Sequence, residues 1–335
     1  MDAARAILAA DPHPRLHIYL LDSEAGVLRR IAAEPADDVV LAVADVLPRE
    51  PGPEYVRVHA PGTALLPLFQ DAARRGVLTV YDQMDHWDGF AKQPWGDSSL
   101  EPFFIAAADL ILTITQPLAD GFDGVHSVHV VPNAVNDDLQ QLLAAATPPA
   151  NDRPRVLYSG AMWPDWFDWK SAMQCAMSVP EADFVFLGAV TATTDEDDGR
   201  PVLSYAAELA ELPNVTMINE IPHHEIAGHL TSADVGLIPF VVNQVTDPCS
   251  PLKVFEYLAA GMPVVSTPLA GVRGYPGMWY YSGLDELRQA TLGAIADAAD
   301  PVRRAERIGF GARNTWSARI NEVDRILAAY VSGQA

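Results

Sequence analysis

The run Ser250-Pro251-Leu252-Lys253-Val254-Phe255-Glu256-Tyr257-Leu258-Ala259-Ala260-Gly261 places a cation at the start of a helix and a carboxylate one turn later. Ser250 suits an N-cap and Pro251 the first helical position. Gly261 suits the C-terminal stop, and Met262–Thr267 then reads as a buried strand. Lys253 opposes the helix dipole, an unfavourable placement by about 0.3–1 kcal/mol. An anion at the helix start removes that conflict, because free backbone N–H groups and the lysine converge on it. The backbone of Ser250, Pro251 and Leu252, with Lys253, would then hold a diphosphate. Glu256, on nearly the same helix face, would accept bonds from ribose hydroxyls.

Two further stretches carry chemistry. Tyr81-Asp82-Gln83-Met84-Asp85-His86-Trp87-Asp88-Gly89-Phe90 packs carboxylates, an imidazole and aromatic rings into one loop. Carboxylates bind sugar hydroxyls and aromatic faces stack on a pyranose. Asp85 and His86 are therefore the expected contacts to sugar hydroxyls, with Asp82 and Trp87 beside them. Gly160 opens the second stretch, which runs through three tryptophans to Asp168 and Lys170. Glycine permits close backbone approach to a ligand, and Asp168 and Lys170 could reach its diphosphate. The tryptophans either line that ligand or cover a core.

Other patterns fail on spacing. His224 and His229 lie five residues apart, whereas two zinc ligands on one helical face need four. Asp195-Glu196-Asp197-Asp198 has no further ligand at calcium-loop spacing and reads as a solvated acidic loop. Gly309-Phe310-Gly311 lacks the third glycine and the preceding strand of a dinucleotide fingerprint. No Gly-x-Ser-x-Gly elbow is present.

The elements that must position these groups alternate. Strand patterns fall at 16–21, 39–43, 55–59 and 77–81, with a helix at 65–75. After the proline-rich run 147–154 the alternation restarts with a strand at 156, helices at 170–179 and 203–212, and strands at 184–187, 215–218 and 235–239. A helix starts at His223, and a last one covers 316–331. Such alternation implies α/β architecture with parallel sheets, and functional groups at the strands' carboxyl ends. The expected domains are 1–148, 149–315 and a closing helix in 316–335.

A chain of 335 residues can form two cores, and 49% hydrophobic with 20% charged residues describes a soluble globular protein. No apolar run reaches the ~20 residues of a membrane span. No basic-then-apolar leader opens the sequence, which points to the cytoplasm. Two cysteines make neither a disulfide framework nor a metal set. The formal charge of −22 argues against nucleic acid and anionic membranes as partners, though a modified base stays open as an acceptor.

The Ser250 run resembles the donor signature of GT-B glycosyltransferases, in particular the retaining family four (glycosyl transferases group 1). Three other segments agree in order: Val156-Leu157-Tyr158-Ser159-Gly160, Asp234-Val235-Gly236-Leu237-Ile238-Pro239-Phe240, and Ala108–Thr115 with Val130-Val131-Pro132-Asn133-Ala134-Val135. The resemblance implies two Rossmann-like domains facing a central cleft, with a C-terminal helix crossing back to the first. It implies transfer of a hexose-type sugar from a UDP- or dTDP-linked donor to a glycan or small-molecule hydroxyl, with retention, no metal and no cofactor. The turn containing Ile221 would touch the base through its backbone. Attack would come from the front face, with the leaving phosphate as base.

Two departures bear on the acceptor and the donor loop. The family's opening glycine-rich loop has no counterpart in Met1–Pro14, and His59-Ala60-Pro61-Gly62-Thr63 is the candidate substitute. The family's upstream glutamate corresponds to Pro248, leaving Asp247 as the nearest carboxylate. These departures keep open a non-catalytic nucleotide-sugar-binding partner and a GT-B-fold epimerase.

Overall fold

A computed structural model describes most of residues 55–90, 97–147, 151–190 and 196–333, and the backbone of 19–22, 27–30 and 40–41. Met1–Pro14 and most of the acidic loop at 195–199 lie outside the described residues. The chain divides into two compact units, Met1–Pro132 with Trp316–Ala335, and Asn133–Thr315.

The first unit opens with β1 (Tyr19–Asp22), β2 (Val27–Arg30) and β3 (Val40–Leu41), which pair antiparallel as a small separate sheet. The apolar runs near 16–21 and 39–43 therefore do not join a parallel sheet, as the alternation suggested. The parallel sheet begins with β4 (Tyr55–Val58), followed by α1 (Leu66–Arg74), β5 (Leu78–Gln83), α2 (Glu101–Ala107), β6 (Leu110–Thr113), α3 (Gln116–Ala119) and β7 (Ser127–Val130). Its order is β4-β5-β6-β7. The unbroken apolar run of β6 is buried throughout, as a strand covered on both faces must be.

The second unit contains α4 (Asp137–Ala145), β8 (Arg155–Ser159), α5 (Trp169–Ser178), β9 (Asp183–Leu187), the short pair β10 (Glu196–Asp197) and β11 (Arg200–Pro201), α6 (Val202–Ala210), β12 (Val215–Ile218), α7 (Ile226–Ser232), β13 (Val235–Ile238), α8 (Leu252–Ala259), β14 (Val264–Ser266), β15 (Met278–Tyr280), α9 (Leu284–Ala298) and α10 (Pro301–Arg313). Its main sheet is parallel in the order β12-β9-β8-β13-β14-β15. The chain moves outward from β8 in one direction and then returns to β13 to build the other. The β8/β13 crevice is thus the topological switch point, where open parallel sheets bind ligands.

The units divide at Pro132–Asn133, ahead of the proline-rich run at 147–154. The reason is α4, whose buried Leu139 and Leu143 belong to the second unit's core together with Val135. The last helix, α11 (Trp316–Val331), belongs to the first unit. Its Val323 and Leu327 pack on Val80, Leu110, Leu112 and Val131 of the parallel sheet. Arg319 Nε donates to Pro132 O at 2.8 Å and pins the helix start.

Candidate functional site

In the second unit, three loops leave the carboxyl ends of β8, β12 and β13, and α8 begins beside them. Gly160 follows β8 with φ +133°, a region L side chains rarely adopt. A Cβ there would sit 2.9 Å from Lys253 Nζ, so the glycine makes room for the lysine. Gly188 (φ +141°) does the same for Gly160: its Cβ would fall 2.0 Å from Gly160 O. The 161–168 loop is then fixed by Met162 N–H to Ala189 O at 2.9 Å and Asp168 N–H to Pro239 O at 2.7 Å.

Helix α8 starts one residue later than its sequence suggests. Pro251 occupies the N-cap, and no side chain caps the helix. Ser250, expected as that cap, is 3% exposed, and its hydroxyl has no hydrogen-bond partner among the described residues. Its carbonyl accepts from Asn133 Nδ2 at 2.7 Å. Val254 N–H donates to Pro251 O at 3.0 Å, which leaves the Leu252 and Lys253 N–H groups without a side-chain cap among the described residues, as a helix start open to an anion requires. The helix is held against β8 by Tyr257, whose hydroxyl accepts from Ser159 N–H at 2.8 Å. Gly236 of β13 lies flat under that ring, since its Cβ would come within 2.2 Å of Tyr257 Cδ2.

Lys253 Nζ donates to the Tyr158 hydroxyl at 3.2 Å. The same atom lies 4.5 Å from the Tyr158 ring centroid and 4.8 Å from that of Phe240. Burial pushes this ammonium down to about 8, against the opposing pull of Glu256 and Cys249. Glu256 is half-buried one turn on, and His223 Nε2 stands 3.5 Å from its Oε1. Lys253, Gly160, Glu256 and the α8 start are thus brought together.

The structure places the remaining donor-side candidates differently. Asp168 caps α5: its carboxylate accepts from Ser171 N–H at 3.0 Å and from the Ser171 hydroxyl at 2.5 Å. Lys170 is exposed on the first turn of that helix. Ile221 is half-buried in the turn after β12, and the helix expected from His223 starts instead as a 3-10 turn, His223–Glu225, before α7. Of the tryptophans, Trp169 is fully buried, Trp166 packs edge-on against Phe240, and Trp163 remains 48% exposed. Asp247 accepts Ala270 N–H at 2.9 Å, which braces the loop before α8.

The first unit carries its own cluster at the carboxyl ends of β4 and β5. Asp82 is buried, accepts from Arg57 Nε at 2.9 Å, and lies 2.9 Å from His59 Nδ1. Burial works against its ionisation, but Arg57 and His59 overcome that and hold the carboxyl at about 2. Asp85, three residues on, has no such partner among the described residues. Burial pushes its carboxyl up to about 7, in the range suited to proton exchange near neutral pH. His86 Nδ1 is buried without a hydrogen-bond partner among the described residues and stands 4.0 Å from Asp88 Oδ2. Glu101 gathers the Tyr81 hydroxyl at 2.7 Å and Gln83 Nε2 at 2.9 Å.

Two expectations change here. Trp87 is 4% exposed and cannot offer its face to a pyranose. Asp82 Oδ2 faces Arg57 and His59, so this carboxylate first of all orients the imidazole. Arg57 itself was invisible to sequence reasoning, because one arginine in an alternating strand reads as a solvent-facing residue. Tyr158, Phe240 and Asn133 were quoted in the motifs, but nothing in their residue type marked them as neighbours of Lys253 and Ser250. Among the described residues, no group of three His, Cys, Asp or Glu is placed to hold a metal ion, and no helix is long and apolar enough to cross a membrane.

A phosphate-ready helix start at the switch point of a parallel sheet is shared by many proteins, so sequence likeness decides between them. Residues 153–297 match the family described as Glycosyl transferases group 1. The second unit is similar to a group 1 glycosyltransferase domain. A Bacillus subtilis (strain 168) protein named for teichuronic acid biosynthesis, the glycosyltransferase TuaH, is 29% identical to the chain over 154 residues, 44% of the chain. The match spans only 36% of that relative's length. Among solved structures, sucrose-phosphate synthase from Thermosynechococcus elongatus superposes with a TM-score of 0.61 at 16% identity, covering 84% of this chain and 74% of that one. Anabaena HepE in complex with UDP and glucose gives 0.57 at 13% identity, over 82% and 78%. The fold is GT-B, as the motif order implied, and the group 1 match begins just ahead of β8 and ends in α9, so it contains Gly160, Lys253 and Glu256.

Proposed function

We propose that this chain is a retaining glycosyltransferase that moves a hexose-type sugar from a nucleotide diphosphate to an acceptor hydroxyl without a metal. The observation that carries this reading is Lys253 Nζ held above Gly160 beside the uncapped start of α8. The name of the HepE complex, with UDP and glucose, supports a uridine diphosphate donor.

In the reaction the bond between the anomeric carbon and the phosphate oxygen breaks, and its electron pair stays on the leaving diphosphate. The α8 N–H groups and Lys253 stabilise that charge. Glu256 binds the ribose hydroxyls. The acceptor oxygen forms the new bond on the same face, and its proton passes to the leaving phosphate oxygen. On the first unit Asp85, with its raised carboxyl, and His86 orient sugar and acceptor hydroxyls.

The test is incubation with UDP-glucose and an acceptor library in EDTA, with the product anomer read by NMR. Transfer with an α-linked product from the α-linked donor supports every part of the reading. A β-linked product overturns retention, and a strict metal requirement overturns the metal-free arrangement. Donor binding without transfer or hydrolysis favours a non-catalytic binder, for which Pro248 at the family's glutamate position is the motivating residue.

A further inference from the structure

The lysine's surroundings are built from parts that the phosphate role alone does not require. Tyr158 is fully buried, and its ring meets Phe167 edge-on at 4.8 Å, so it cannot swing away. Its hydroxyl donates to Ala161 O at 2.8 Å, which points a lone pair at the lysine. Phe240 is 5% exposed and is fixed by the backbone bridge to Phe167. The two rings and the phenol oxygen surround one amine, with Gly160 close beside it.

We propose that Tyr158 and Phe240 are positioning residues: they form an aromatic cage that holds the Lys253 amine over Gly160, ready to meet a diphosphate. The proposal rests on the donor reading above. An ammonium gains from two π-faces and a phenol acceptor. It gains nothing from bulk water in the cage, and burial accordingly pushes it down to about 8. The titratable groups facing it are Tyr158 on β8, Glu256 on its own helix and the Cys249 thiol just before it, with His223 behind Glu256. Above pH 8 the free amine loses its proton, and an arriving diphosphate restores it. Donor binding therefore takes up a proton.

The chain has only three lysines, Lys92, Lys170 and Lys253. Lysine labelled with ¹³C at Cε gives three titration curves by NMR, and Lys253→Arg identifies the curve of interest. The curve is followed in the wild type, Tyr158→Phe and Phe240→Leu, each with and without UDP. The cage predicts a wild-type midpoint near 8, a fall of about half to one pH unit in either variant as a charged-form contact is lost, and a rise when UDP is added. An unmoved midpoint in both variants overturns the cage, whatever UDP does. Moved midpoints with no response to UDP uphold the cage and overturn the donor reading. If Tyr158→Phe fails to fold, Phe240→Leu decides.

Discussion

Lys253 is the residue on which most of the chemistry converges. If Lys253 meets the leaving diphosphate as proposed, Lys253→Ala removes that charge together with the contact of its ammonium with the Tyr158 and Phe240 rings. It should lower kcat by about 10²–10³-fold while moving Tm by a few degrees at most, as activity assays and a thermal melt will show. Unfolding instead would make the lysine structural. Asp82 and Asp85 give opposite pH signatures. Asp82 has its carboxyl depressed to about 2, so its contribution is fully present above the unfolded value near 3.9 and is lost as pH falls through 2. That contribution is on the order of 2–3 kcal/mol, and Asp82→Asn should remove the corresponding part of the acid-unfolding curve. Asp85 is pushed up to about 7. The native state then holds the extra proton between about pH 4 and 7, and stability falls as pH rises through that window. Asp85→Asn should therefore raise Tm at pH 8 more than at pH 4, and lower activity. Equal shifts at both pH values would contradict the raised carboxyl.

At the scale of elements, the site depends on how closely α8 approaches the sheet. Tyr257 ties the helix to Ser159 N–H, so Tyr257→Phe leaves a buried donor unmet at a cost of about 1–3 kcal/mol. Gly236→Ala drives a methyl into the Tyr257 ring and should cost about as much or more through overpacking. Urea unfolding of both variants checks this. The sequence made most of these elements legible: α11 and β12 fall at the residues the periodicity indicated, because each has a strong apolar repeat with a clear end. The α8 cap was misread. Ser250 has the chemistry of a cap, yet Pro251 takes that place with extended backbone, φ −60° and ψ 126°, and propensity cannot see this. Likewise, the first strands were assigned to a parallel sheet because short apolar runs do not disclose their pairing direction. The triad of Arg57, Asp82 and His59 needs two adjacent strands in register, Val58 opposite Tyr81, and no local pattern encodes that pairing.

At the scale of the whole molecule, the chain closes on its first unit through α11. Leu327 sits among Val80, Leu110 and Leu112, and Leu327→Ala should cost about 2–5 kcal/mol. The effect belongs to the first unit, so differential scanning calorimetry should show that unit's transition moving, and the UDP binding proposed for the second unit should be unaffected. The charge of −22 adds a general expectation: moderate salt should raise Tm by screening self-repulsion. The most direct test of the central claim is the melting temperature with UDP, dTDP, GDP and ADP in EDTA, for the wild type and Lys253→Ala. A nucleotide at a hundred times its dissociation constant adds about 2.7 kcal/mol. The account predicts that one uridine or thymidine diphosphate raises the wild-type Tm without metal and raises that of Lys253→Ala far less. An equal shift in both proteins, or none with any nucleotide, would contradict a diphosphate site at the start of α8.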